Sequence, residues 1–188
     1  MAAPVQPFRL DRIPDNLLRE PLDYLMADHV RQRKVCDALD ILATGTARDD
    51  TLSMADAVVA YLSGDFLLHI QDEEIDLFPC LQAAAEGDDD VASLESLKRD
   101  HVADLALAKG LVADLRQMAV SDVARTSASF NRSAVAFAVT ERRHLGLEDQ
   151  VILPLARRRL SPTDLDRIGR AMAARRNIEF PVQSDIVP

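Results

Sequence analysis

The chain has four histidines, and all of them fall in one pattern written twice. Asp28-His29-Val30 is followed by His69, Glu73 and Pro79, and Asp100-His101-Val102 by His144, Glu148 and Pro154. In each copy the second histidine stands four residues before a glutamate and ten before a proline, and the two histidines are 40 residues apart in the first copy and 43 in the second. Imidazole nitrogens and carboxylate oxygens together are transition-metal ligands. A duplicated His/carboxylate set is what a two-metal site inside a helical bundle requires.

Residues four apart on a helix point the same way. His69 with Glu73, and His144 with Glu148, are therefore ready chelates, while His29 and His101 stand alone among aliphatic neighbours. A single histidine on an apolar face is ordinarily a core residue. That reading must explain why every histidine points inward, why both His-x-x-x-Glu pairs recur and why the Asp-His-Val and proline offsets repeat. Six ligands at one level suit two ions sharing both carboxylates better than one ion. The donor set favours iron, with manganese and zinc behind it, over calcium or magnesium, and the lack of thiolate argues against a structural zinc site. Asp65, one turn before His69, and Glu141, three residues before His144, are candidates to accept an imidazole N–H or to relay protons.

The elements that must position these residues are helices, since glycine and proline fall at punctuation points between long stretches rich in Ala, Leu, Asp and Arg. A first helix is predicted from Pro21 to about Ala43, ended by Thr44-Gly45-Thr46. The second runs from about Ser53 to Ala85, the third from about Val91 to Met118 and the fourth from about Asp122 to Arg159. Each carries its histidine on the apolar stripe, and Pro79 and Pro154 each kink a helix or mark where it frays. Ser161-Pro162-Thr163-Asp164 is an N-cap with proline at the first helical position, opening a short fifth helix to about Arg175 on the outside of the bundle. The fold class expected is all-α, an up-down-up-down four-helix bundle over residues 21–160, with an N-terminal arm (1–20) and a short helix with an extended tail (161–188). Five of the nine prolines lie in the first 20 residues and the last dozen.

Composition narrows the function classes. At 188 residues and 48% hydrophobic content the chain fits one domain with a real core. A net charge of −9 is the wrong sign for coating phosphates, so neither nucleic acid nor an anionic membrane surface is expected as a partner. There is no run of about 18 apolar residues, and the N-terminus has neither a basic nor an apolar leader region, so a cytoplasmic protein is expected. Cys36 and Cys80 make no disulfide framework. With His29 and His69 level on antiparallel helices, the two thiols lie about 10 Å and about 16 Å along opposite directions, too far to pair.

The order His, His-x-x-x-Glu, His, His-x-x-x-Glu on four successive helices resembles the hemerythrin-like (HHE cation-binding) domain, the segment His69-Ile-Gln-Asp-Glu-Glu-Ile-Asp-Leu-Phe-Pro79 most closely. The resemblance covers about Pro21 to Leu160. It implies a non-haem di-iron centre, oxo- or hydroxo-bridged, with one iron on His29 and His69, the other on His101 and His144, and Glu73 and Glu148 shared. Classical oxygen carriers have a further histidine one turn after the third-helix histidine, where this chain has Leu105, and close the fourth-helix motif with an aspartate five residues on, where it has Glu148 at four and Asp149 at five. Four histidines and two glutamates are similar instead to the hemerythrin-like domains of iron or oxygen sensors and of di-iron proteins of nitric-oxide stress and iron-sulfur cluster repair. The latter usually carry an added cysteine-containing N-terminal domain, and none is expected in this chain. The expected function is binding of oxygen or nitric oxide in sensing or stress protection. The alternatives are a di-iron oxidase, peroxidase or nitric-oxide reductase, iron storage or donation, and a helical interaction module stabilised by metal.

Overall fold

The computed structural model describes residues 7–46, 50–121 and 127–182, and among these it is helical with no strand. Helix α1 is Pro21–Ala43, as the sequence predicts. It stops where Gly45 takes a φ of 65°, a left-handed conformation that costs glycine little. The second predicted helix is four pieces: α2 (Thr51–Ser63), α3 (Asp65–Gln71), a π-helical turn (Asp72–Leu77) and α4 (Phe78–Ala83). Helix α5 spans Asp88–Ser121. The fourth is α6 (Ala128–Leu147), a second π-helical turn (Glu148–Ile152) and α7 (Leu153–Arg159). Its predicted start at Asp122 lies outside the described residues. Helix α8 is Pro162–Arg175.

The two π turns replace the kink or fraying expected at Pro79 and Pro154. Proline has no N–H to give to the carbonyl four residues back, and its ring collides with that carbonyl. Widening the preceding turn to an i→i+5 pattern removes the conflict while the helix runs on. Accordingly the Phe78 N–H donates to the Glu73 carbonyl, and the Leu153 N–H to the Glu148 carbonyl. In each copy the residue accepting the wide bond is the predicted ligand.

Two compact units are distinguished. One comprises Met1–Asp11, Arg31–Leu67 and Asp100–His144, the other Arg12–Val30, Leu68–Arg99 and Leu145–Pro188. In the first, Val35, Leu39, Val58, Leu62, Leu111 and Phe130 are buried, and Phe66 meets Phe137 edge-on at 5.7 Å between ring centroids. In the second, Leu18, Leu22, Leu25, Leu77, Phe78, Leu94, Leu97, Ile152, Leu153, Ile168 and Met172 form one core. The stretch Thr51–Ala83 has the length and hydropathy of a membrane span by composition alone. It also buries His69, Asp72, Glu73 and Asp76 beside its apolar residues, the pattern of a helix packed in a protein core.

The segments before α1 and after α7 both contribute side chains to the second unit's core. Asp15–Arg19 is a 3-10 turn whose Leu18 is completely buried, because Ile13, Leu17 and Leu18 give that segment apolar side chains to bury with the second unit's core. Helix α8 is closed at both ends. Ser161 and Asp164 form a reciprocal capping box. At the other end Ile178 N–H donates to the Ala173 carbonyl and Asn177 N–H to the Ala174 carbonyl, with Asn177 at φ 54°. These are the two bonds of a Schellman motif. Gly169 is there because of close approach: a Cβ added to it would stand 2.2 Å from the Leu18 carbonyl oxygen. Gly169→Ala is expected to lower stability by about 2 kcal/mol through that overlap. Chemical denaturation would show it as a lower midpoint with unchanged slope, and an unchanged midpoint would disprove the contact.

Candidate metal centre

In the second unit, His29 on α1, His69 on α3, and Glu73 and Glu148 at the starts of the two π turns lie together, each at most 2% exposed. One ligand atom from each falls within 4.8 Å of all the others. His29 Nε2 is 3.3 Å from Glu148 Oε2 and His69 Nε2 is 3.5 Å from Glu73 Oε1, yet neither nitrogen makes a hydrogen bond among the described residues. Two atoms bound to one ion at about 2.1 Å each stand roughly 3 to 3.5 Å apart across a tetrahedral or octahedral angle. The spacing thus fits donors converging on a cation, and the residues fit the metal their chemistry implies.

The outer faces of the imidazoles are held as well. His29 Nδ1–H donates to Asp149 Oδ1 at 2.6 Å, and Asp28 Oδ2 stands 3.3 Å from His69 Nδ1. A carboxylate on Nδ1 fixes the tautomer that presents the Nε2 lone pair inward and makes it a better donor. Burial opposes a charge on His69, but Glu73, Asp28 and Glu148 outweigh it and push this imidazole up to about 10. At neutral pH without metal, His69 therefore carries a proton where the centre calls for a cation.

In the first unit, His101 on α5 and His144 on α6 face each other with their Nε2 atoms 3.1 Å apart. Two lone pairs do not meet at that distance without a proton or a cation between them. Asp100 Oδ2 is 3.9 Å from His144 Nδ1 and also binds Arg143. One turn further along α5, Asp104 is 1% exposed. Its Oδ1 pairs with the Thr140 hydroxyl at 2.9 Å, and burial pushes its carboxyl above the usual range, with Thr140 and the two histidines acting the other way.

The remaining candidates are Asp65 and Glu141. Asp65 is engaged by Arg31 and is half exposed. Glu141 is buried and lies near Cys36, whose thiol is pushed far up by burial first and by Glu141 next. Cys36 and Cys80 are both buried and form no disulfide. The sequence pattern gives Asp28, Asp100, Asp104 and Asp149 no role in orienting an imidazole. The repeated Asp-His-Val was the available signal for two of them, since in each copy that aspartate faces the second histidine, not its neighbour.

The Hemerythrin family, described as the Hemerythrin HHE cation binding domain, matches residues 20–156. The chain belongs to this family. No curated protein matches it significantly. Its all-helical fold is accordingly a hemerythrin-like helical bundle with an added C-terminal helix, and the clustered histidines and glutamates are those of a cation-binding protein.

Two outcomes follow for this hemerythrin-like centre. Asp149→Asn, which leaves His29 without its carboxylate, should weaken metal binding about 10- to 100-fold with helicity unchanged, whereas Asp65→Asn should leave affinity alone; equal affinities for all three proteins, measured by competition with a chelator, would contradict this. Because His69 holds a proton up to about 10 in the metal-free chain, metal must displace it, and binding weakens as pH falls. Adding metal in weak buffer near pH 8 should release about one proton from this residue, and no release would refute the assignment.

Proposed function

We propose that the chain holds two non-haem iron ions and binds oxygen or nitric oxide at them, in sensing or in protection against these molecules. The carrying observation is the buried convergence of His29, His69, Glu73 and Glu148. His29 and His69 would hold one ion. Glu148 lies four residues after His144 on one helical path, and His144 meets His101 Nε2 to Nε2, which supports these two histidines as the terminal ligands of the second ion, with Glu73 and Glu148 shared.

Bound iron supplies reversible one-electron chemistry and an affinity for diatomic ligands. The chain supplies the surroundings. Asp149 and Asp28 orient the imidazoles, and burial of every ligand keeps bulk water out. Leu105 stands at the position of a carrier's further histidine and offers no donor atom, so bound iron would keep a place for an exogenous ligand. A set of four histidines and two glutamates favours a responsive centre over oxygen storage.

Anaerobic reconstitution should give two irons per chain. Mixing the reduced protein with oxygen or nitric oxide should give a long-lived charge-transfer band, while sustained consumption with an electron donor would instead mark an enzyme. Glu73→Ala and Glu148→Ala should each lose iron with helicity intact. Retention of two irons in both variants would remove the shared-carboxylate assignment.

A further inference from the structure

Asp72 immediately precedes Glu73, is completely buried, and is gripped by the end of α8. Arg175 Nη1 bonds Asp72 Oδ1, and Arg175 Nη2 bonds Asp76 Oδ2 at 2.6 Å. Arg176 Nη1 reaches Asp72 Oδ1 at 3.0 Å, and its Nη2 reaches Oδ2. The same Arg176 donates from Nε to the Tyr24 hydroxyl at 3.0 Å and lies over the Tyr24 ring. Tyr24 sits one turn before Asp28 on α1. One guanidinium thus braces both the π turn that presents Glu73 and the helix that carries His29 and the Asp28 partner of His69.

This clamp breaks the internal repeat. The positions matching Asp72 and Asp76 in the second copy are Leu147 and Val151, so the two acids that α8 grips have no counterpart there. A buried pair of acids with two arginines is poor value as a source of stability alone, since apolar packing of similar volume commonly does as well. The Schellman turn at Asn177 follows directly on Arg175 and Arg176, and beyond it the Arg170 guanidinium lies over the Phe180 ring.

We infer that Arg175 and Arg176 are positioning residues for Glu73 and that, through Asp72, the docking of α8 is coupled to occupation of the metal centre. This rests on the metal reading above. Coupling of this kind is reciprocal: if the clamp favours metal, metal favours the docked helix by the same factor. A change at the centre that moves Glu73 then loosens α8 and the segment following it, an output a sensing protein needs.

The test uses the full chain with cobalt(II), whose visible bands report ligand geometry. In the wild type, amide exchange across Pro162–Arg175 should slow when cobalt is added. Asp72→Asn should bind cobalt about tenfold more weakly, alter the cobalt spectrum and lose the metal-dependent slowing, with Arg176→Lys between the two. A merely structural clamp would lower the melting temperature and leave affinity and spectrum alone, which overturns the inference. So would wild-type α8 exchange indifferent to cobalt, a comparison that decides the matter even if Asp72→Asn does not fold. Two cobalt ions bound with α8 indifferent refutes the coupling alone, whereas no cobalt uptake refutes the metal reading with it.

Discussion

Glu73 and Glu148 are completely buried, and withdrawing a carboxylate from water costs several kcal/mol unless positive charge and hydrogen bonds meet it. The imidazoles of His29 and His69 face them without completing hydrogen bonds. This is a core organised around charge, and the imidazole and carboxylate donors converging in it suit a cation. Much else follows from that requirement. Asp149 and Asp28 stand behind the imidazoles, and His69 binds a proton far more tightly than an ordinary histidine.

The second consequence concerns order beyond the ligands. Carboxylates at the start of a widened helical turn need that turn held. Prolines 79 and 154 ensure that the chain cannot relax to a regular α-helix there. On one side α8 adds two guanidiniums against Asp72 and Asp76. The burial of Arg176 disfavours its charge, but Asp72 and Tyr24 more than restore it. Two buried acids are thereby matched by two partly buried guanidiniums, neither of which is bonded to the candidate ligands.

Much of this was legible in the residues. Helices α1 and α8 could be bounded from Pro21, Thr44-Gly45 and the Ser161 cap because start and stop signals are local. The clustering of His29, His69, Glu73 and Glu148 was legible because histidine is rare here and its offsets repeat. The π turns were not, since a proline announces a conflict without saying how the backbone resolves it. Nor was the outer shell: Asp149 reaches His29 across 120 positions of sequence, a pairing that no periodicity on a single helix contains. Asp65 had the right spacing but is claimed by Arg31, a competition visible only once α1 and α3 are placed.

A π turn is in effect one extra residue spliced into an α-helix, and one residue corresponds to about 100° of rotation. On either side of Asp72–Leu77 the chain therefore keeps separate angular accounts. His69 is phased by the residues before the turn, while Phe78 and Leu81 are phased by those after it. The same holds across Glu148–Ile152 for His144 and Leu155. Mutation can thus re-aim ligands without reshuffling the apolar contacts downstream, and the core can be repacked without dragging the ligands round. Such a splice lets the chemistry of a helical protein drift independently of its folding.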